Sequence, residues 1–273
     1  MRYGGNTSCI EVRADGQIII LDAGTGIRPL GLELAREFDG APIDLTLLIT
    51  HTHWDHIQGF PFFRPAYEPK NTIRVLGFEG ALLGLGSTLA GQMESPYFPI
   101  ALQQMPGNVV IEELQSFDFR IGPVHARATT VNHPGIAVGY RLETSGGAVA
   151  YLPDNELFHE EQAGDSRTHV DLQNRKLIDF IHGADVLIID SQYDSEEYKN
   201  HIGWGHGCVD DVVRLALLGK VKRLYLFHHD PAHNDAQIDA MLAHARELAA
   251  GSALEVFAAM EGEVVTLHAS PRL

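Results

Sequence analysis

Short runs of apolar and β-branched residues recur along the chain and are separated by turns rich in Gly, Pro and Asp. Such runs are typical of β-strands, whereas apolar residues repeated at helical spacing indicate amphipathic helices. The runs predict strands at residues 9–12, 17–21, 43–50, 72–76, 109–114, 117–121, 124–131, 136–142, 148–152, 186–189, 223–227, 253–257 and 264–267. Helical spacing predicts helices at residues 29–38, 80–93, 171–181, 209–218 and 235–250.

The predicted strands fall into two blocks, and helices follow each block. That order favours an α/β fold in which helices lie outside paired sheets. No internal repeat, low-complexity tract or long charge run divides the sequence, so we expect one domain over residues 1–273. Residues 94–105 carry Pro96 and Pro99 around Tyr97 and Phe98, which predicts an irregular loop that could act as a lid.

Acidic residues outnumber basic ones, with 36 Asp and Glu against 20 Lys and Arg and a formal net charge of −16. Such a surface repels nucleic-acid backbones, and no basic arm is visible for gripping a long RNA. No apolar run of about 18 residues is present, so we expect no transmembrane helix. The two cysteines, Cys9 and Cys208, are too few for a disulfide framework and suit a reducing cytoplasm.

Histidine is unusually frequent, with 15 residues, and its densest cluster is the segment His51-Thr52-His53-Trp54-Asp55-His56. This loop directly follows the apolar strand predicted at 43–50. Alternate side chains of an extended segment share a face, so His51, His53 and Asp55 could point one way while a turn redirects His56. Imidazole and carboxylate are ligands that Zn²⁺, Mn²⁺ and Fe²⁺ accept, and two adjacent cations would use all four side chains without crowding.

The His-x-His-x-Asp-His loop resembles the signature of the metallo-β-lactamase superfamily, and the resemblance covers nearly the whole chain. It implies an αββα sandwich of two mixed sheets flanked by helices. It also implies two divalent metal ions, for which Zn²⁺ is favoured and Mn²⁺ or Fe²⁺ are alternatives, with a hydroxide shared by the metals as the nucleophile. The residues that match the superfamily's ligands are His51, His53 and His133 for one ion, Asp55, His56 and His228 for the other, and Asp154 shared between them.

The last of these ligands has a neighbour that could replace it. His229 is adjacent to His228, and strand parity does not decide between the two. The superfamily places an apolar pair before this ligand, and Leu226-Phe227 precedes His228 in that way. The resemblance therefore favours His228.

A further histidine, His206, indicates which branch of the metallo-β-lactamase superfamily the chain resembles. His206 lies in Gly205-His206-Gly207-Cys208, at the start of a predicted helix and 22 residues before His228. This resembles the tRNA 3′-processing endonuclease and the small cyclic phosphodiesterases, in which the matching histidine protonates the leaving group or holds the phosphate. The resemblance implies that His206 is a general acid, although a position beside a helix N-cap with no chemistry is the alternative.

Two aspartates complete the set of candidate catalytic residues. Asp190 follows the strand predicted at 186–189 and could orient His206 or a metal ligand, or it could be a buried structural residue. We expect Asp55 to act as a catalytic residue, like His206 and Asp190, as well as a metal ligand. Asp22, in the turn Leu21-Asp22-Ala23-Gly24-Thr25-Gly26, suits a turn or a supporting role near the metals.

The strongest local match is to bacterial phosphodiesterase-like members of the superfamily. They share four motifs with this chain: Gly-Gly-Asn-Thr-Ser-Cys at residues 4–9, Leu-Asp-Ala-Gly-Thr-Gly at 21–26, Thr-His-Thr-His-Trp-Asp-His at 50–56 and His-His-Asp-Pro at 228–231. Those relatives usually begin earlier, with an additional first strand. The edge of the sheet could therefore be open in this chain, or covered by the partner in a homodimer.

Together these residues predict a metal-dependent hydrolase, and specifically a phosphodiesterase acting on a small linear or cyclic nucleotide or phosphate diester. Hydrolysis of a carboxylic ester, thioester, lactone or lactam on the same metals is the alternative. A di-iron redox protein fits less well, because a glutamate usually replaces His53 in those members. A non-catalytic binding module fits less well because the ligand set is intact. We expect neither a long nucleic acid nor a membrane as partner.

Overall fold

The computed structural model describes residues 2–78, 84–158 and 167–267. The chain forms two compact units, which we call the first unit (Asn6–Val124) and the second unit (Met1–Gly5 with His125–Leu273). One domain over residues 1–273 stays a prediction. Within the described residues, no helix has the length and apolar character needed to cross a membrane.

The first unit is built on a five-stranded sheet with the order β1-β2-β3-β4-β5. The strands are β1 (Ile10–Ala14), β2 (Gln17–Leu21), β3 (Asp44–Leu48), β4 (Thr72–Gly77) and β5 (Asn108–Glu113), and β6 (Asp118–Ile121) follows along the chain. β1 and β2 form an antiparallel hairpin, and β2 to β5 pair in parallel. β3 is apolar and buried beyond its first residue because strands pair with it on both sides.

Helices of the first unit are α1 (Ile27–Phe38), α2 (Trp54–Ile57) and α3 (Leu85–Gly91), together with 3₁₀ turns at Phe60–Phe62, Arg64–Tyr67 and Leu102–Gln104. The helix predicted at 80–93 is therefore shorter than expected, and residues 80–83 of it lie outside the described residues. Glycine weakens helices, and this segment contains several. The predicted irregular loop at 94–105 contains one 3₁₀ turn and is otherwise irregular.

The second unit contains a sheet in which six strands follow the order β12-β11-β10-β9-β8-β7. They are β7 (Val124–Thr130), which begins at the unit boundary, β8 (Val138–Thr144), β9 (Gly147–Leu152), β10 (Val186–Asp190), β11 (Arg223–Phe227) and β12 (Glu255–Ala258). β7, β8 and β9 are antiparallel, whereas β9 to β12 are parallel. Its helices are α4 (Arg167–Ile181), α5 (Ser195–Tyr198), α6 (Val209–Leu218) and α7 (Asp235–Leu248).

Parallel pairing in the second unit brings the carboxyl ends of β9, β10 and β11 to one edge of the sheet. Asp154, Asp190 and His228 all lie at these ends. Leucine, isoleucine and valine side chains from α4, α6 and α7 pack with the same strands in one apolar core, which makes the edge a rigid support.

The strand predicted at 264–267 is wrong, since residues 263–267 have no strand pairing. β-branched residues favour a strand only where they pack against a neighbour. Val264 is 87% exposed, so nothing rewards an extended pairing there.

Candidate metal and catalytic residues

The candidate metal-binding loop of the first unit, His51–His56, turns helical earlier than the sequence predicts. β3 ends at Leu48, and α2 begins at Trp54, with His53 extended at its N-cap. The expected alternation therefore stops at His53, and Asp55 and His56 lie on a first helical turn. A carboxylate in the first turn also interacts favourably with the helix dipole.

The four side chains of this loop lie close together. The ring centroids of His51 and His53 are 4.6 Å apart, and those of His51 and His56 are 4.2 Å apart. The Nε2 atom of His56 lies 3.3 Å from the Oδ2 atom of Asp55. His51 and His56 are buried, whereas His53 is exposed.

Asp22 holds two residues of this loop from the neighbouring turn. Its Oδ1 accepts the Thr50 amide at 2.8 Å, and its Oδ2 lies 2.9 Å from Nδ1 of His56. The Thr50 hydroxyl also donates to Asp22 at 2.9 Å, so its oxygen accepts from His51 Nδ1 at 3.1 Å. Both imidazoles are thereby held through Nδ1, which makes Nε2 the candidate metal-binding atom. The sequence left a supporting role and a turn role open for Asp22; these contacts agree with the first, and its φ of 63° agrees with the second as well.

A glycine allows this close support. A Cβ atom on Gly24 would come within 2.3 Å of the Asp55 carbonyl oxygen and 2.5 Å of the Thr7 hydroxyl. The turn after Asp22 therefore packs backbone to backbone against α2, which a larger residue would prevent.

We expect Asp22→Asn to weaken metal binding by about 10- to 100-fold, because an amide cannot accept from both Thr50 and His56 as the carboxylate does. Competition with a chelator of known affinity measures the change. The exposed Asp44, at the start of β3, provides the control as Asp44→Asn. Unchanged affinity in a folded Asp22→Asn protein would refute the supporting role.

In the second unit, one buried carboxylate lies between two histidines. Asp154 is 2% exposed, and its Oδ2 and Oδ1 atoms lie 3.6 Å from Nε2 of His133 and of His228, respectively. Each oxygen therefore faces a different imidazole. At 3.6 Å these contacts are longer than hydrogen bonds.

Both imidazoles are again held through Nδ1. The Nδ1 atom of His133 donates to the Gly205 carbonyl at 2.9 Å, and that of His228 donates to Gln192 Oε1 at 3.3 Å. Gln192 in turn donates from Nε2 to Asp230 at 2.8 Å, which fixes its amide orientation. The sequence analysis missed Gln192, because an isolated amide beside a strand end carries no motif.

The adjacent histidine is directed elsewhere. His228 has a φ of 59°, and this left-handed backbone separates the directions of the two side chains. His229 lies with Nε2 3.1 Å from the Ala259 carbonyl, and its ring packs edge-on against Tyr3. Of the two histidines, His228 is the one that faces Asp154.

Asp190 and His206 form a hydrogen-bonded pair at the same sheet edge, and the His206 ring is half-buried. Nδ1 of His206 donates to Asp190 Oδ2 at 2.8 Å, and Asp190 is completely buried. The His206 ring stacks on His228 with centroids 5.2 Å apart and 13° between planes. Burial lowers the pKa of His206, but the hydrogen bond and charge of Asp190 outweigh it, and the pKa is raised.

The donor atoms of both units suit a divalent metal ion. They are imidazole nitrogens and carboxylate oxygens, which Zn²⁺, Mn²⁺ and Fe²⁺ accept. His51, His56, His133 and His228 all have Nδ1 held by another group, which is the usual arrangement of metal-binding histidines. The residues present therefore fit a bound metal.

Comparisons with known proteins agree with this chemistry. A family model described as the beta-lactamase superfamily domain matches residues 17–229. The Ribonuclease Z of Picrophilus torridus is 32% identical over 277 aligned positions, covering 86% of this chain and 84% of that protein. The Ribonuclease Z of Thermoplasma acidophilum is 24% identical over 264 positions, covering 84% of this chain and 82% of that protein.

The crystal structure of the metallo-beta-lactamase fold protein YhfI from Bacillus subtilis has a TM-score of 0.68, with 16% identity, and covers 96% of this chain and 95% of that one. This likeness confirms the predicted α/β class with two mixed sheets flanked by helices. These relatives are named ribonucleases, which counts to some degree against the expectation that a long nucleic acid is not the substrate. The chain belongs to the beta-lactamase superfamily, and it is a metal-dependent hydrolase of the phosphodiesterase and ribonuclease Z-like branch.

Proposed function

We propose that the protein hydrolyses a small phosphate diester, linear or cyclic, and that His206 protonates the leaving group in this reaction. The observation that carries this proposal is the hydrogen bond between His206 and the buried Asp190, at the sheet edge that also holds Asp154 and His228. Hydrolysis of a carbonyl compound does not require such a histidine, whereas departure of an alkoxide from phosphorus is helped by a positioned acid.

The proposed metal ligands follow the superfamily pattern. One ion, with Zn²⁺ favoured, would be held by His51, His53 and His133, the other by Asp55, His56 and His228, with Asp154 shared between them. What supports the shared role is that the two Asp154 oxygens face different imidazoles. Divalent ions, when bound, would neutralise the diester and activate the attacking water.

The chain's own residues would then divide the remaining work. Asp190 accepts from His206 Nδ1, which leaves the opposite nitrogen, Nε2, to carry the proton that is transferred. The hydrogen bond and charge of Asp190 outweigh the effect of burial and raise the pKa of His206, which suits the role of a proton donor. Gln192 keeps the ring of His228 in one orientation, against which His206 stacks.

The charge of the protein favours a small substrate. With 20 basic and 36 acidic residues, the surface repels a long phosphate backbone except where metal ions compensate. A small diester places its single phosphate at the metals and avoids this cost.

We expect the purified protein to hydrolyse bis(p-nitrophenyl) phosphate faster than a thioester or a lactone after addition of Zn²⁺ or Mn²⁺, because two divalent ions would neutralise the charge of the phosphate diester. Product release is measured with each substrate, with and without a chelator. Chelation should abolish turnover. Preferential hydrolysis of the thioester or lactone would overturn the proposal, and efficient cleavage of a precursor tRNA without cleavage of small diesters would overturn the proposed substrate size.

A further inference from the structure

A buried glutamate controls the loop that precedes His206. Glu156 is 2% exposed, and its carboxylate accepts the amides of Gly203 and Gly205, both at 2.9 Å, and the hydroxyl of Tyr198 at 2.6 Å. Both glycines have positive φ, 82° and 87°. The carboxylate therefore fixes the backbone on each side of one residue, Trp204.

The loop is also fixed against a proposed metal ligand. A Cβ atom on Gly205 would come within 2.6 Å of Nδ1 of His133, to which the Gly205 carbonyl is hydrogen-bonded. Trp204 is thus held between two backbone positions that are tied to the buried interior of the second unit.

The Trp204 side chain is nevertheless 59% exposed. Its ring packs edge-on against His201, with centroids 4.8 Å apart, and His201 stacks on Tyr193 at 4.3 Å and 13°. Tyr193 is itself edge-on to His206 at 6.2 Å. A continuous row of rings therefore leads from the exposed indole to the proposed general acid.

An exposed indole fixed in this way is a ready surface for stacking. Ordering a loop around an exposed aromatic costs conformational entropy, and Trp204 gains little burial in return. Because folding has already ordered the loop, a ligand that stacks on the ring loses little further conformational entropy when it binds. Trp204 and His206 are only two positions apart in the sequence, so their Cα atoms can be separated by at most about 7 Å.

We propose that Trp204 binds the nucleobase of the substrate by stacking, so that the diester is a nucleotide. This inference rests on the proposed phosphodiesterase function. A nucleobase is the occupant because a surface with a net charge of −16 offers little to a phosphate chain away from the metals, whereas stacking on an aromatic ring is independent of charge.

Binding can be tested without turnover, because Trp54 and Trp204 are the only tryptophans. In Trp54→Phe, the indole emission belongs to Trp204. Adenosine monophosphate should quench this emission to saturation, whereas ribose 5-phosphate should not. In Trp204→Phe, where the exposed Trp54 is the remaining indole, adenosine monophosphate should have little effect. Equal quenching by both ligands, or quenching of Trp54 alone, would overturn the proposal.

Kinetics with two diesters that share a leaving group provide the second test. For p-nitrophenyl thymidine 5′-phosphate, Trp204→Ala should raise KM by about 5- to 150-fold, the range for loss of one stacked base, with a small change in kcat. For methyl p-nitrophenyl phosphate, KM should not change. Trp204→Phe should restore part of the affinity for the thymidine diester. Ile202→Ala, which alters a 47% exposed aliphatic side chain of the same loop, is the control and should leave KM unchanged for both substrates.

The outcomes separate the two proposals. A wild-type protein that hydrolyses neither diester would contradict the phosphodiesterase function, while the quenching experiment would still decide whether Trp204 binds a base. Equal effects of Trp204→Ala on both diesters would show a general structural role and overturn the base-binding role.

Discussion

His206→Ala should lower kcat by about 10²- to 10⁴-fold on diesters with alkoxide-like leaving groups, which need a proton to depart. The loss should be much smaller for p-nitrophenolate, which leaves readily as an anion. The geometry behind this expectation is the 2.8 Å hydrogen bond that Nδ1 of His206 donates to the buried Asp190. Rates on a matched series of diesters with different leaving groups measure the effect.

A second histidine–aspartate pair provides the control. Nε2 of His244 lies 3.2 Å from Asp210, on two helices of the second unit. His244→Ala should leave both classes of substrate unaffected. Metal content of His206→Ala should equal that of the wild type. Equal rate losses across the leaving-group series would contradict the acid role and indicate that His206 positions the phosphate.

Asp154→Ala should reduce metal content below the proposed two ions per chain and lower activity by about 10³-fold or more, since metal ions contribute several kcal/mol of charge stabilisation in the transition state. The loss of metal and of activity should exceed the loss caused by removing a residue that would bind only one ion, because each Asp154 oxygen faces a different imidazole. Elemental analysis of protein purified without chelators and then reconstituted measures the metal content.

Asp154→Asn keeps the shape of the side chain and serves if the alanine variant does not fold, while the exposed Asp39→Asn controls for loss of an acidic residue. A wild-type content that stays near one ion after reconstitution would contradict the shared role of Asp154. So would an Asp154→Asn protein that retains both ions.

The sequence predicts the ligand-bearing loop and most strands within a few residues, because these features are written in local patterns. The apolar run before His51 and the run before Asp190 both form strands. Local patterns mislead where tertiary contacts decide. The extended segment predicted over 51–55 gives way to α2, whose start packs against Gly24 from a distant turn.

Supporting residues are harder to predict than ligands. Glu156 contacts the amides of Gly203 and Gly205, which are 47 and 49 residues away, so its role depends on the folded sheet. Gln192 holds His228 across 36 residues. Neither residue type has a chemistry specific enough to stand out in one sequence, whereas a cluster of histidine and aspartate does.

Two nearby residues at the carboxyl end of β10, Asp190 and Gln192, hold the proposed acid and a proposed ligand. Asp190 accepts a hydrogen bond from His206, Gln192 Oε1 accepts one from His228, and the backbone N–H of Gln192 donates to Asp190 at 2.9 Å. The two imidazoles stack, so a shift of either one disturbs the other. Substitutions in this group should not act independently, because they share partners. During evolution, therefore, a change of leaving-group preference and a change of metal preference would have to be acquired together, through compensating substitutions on this one segment.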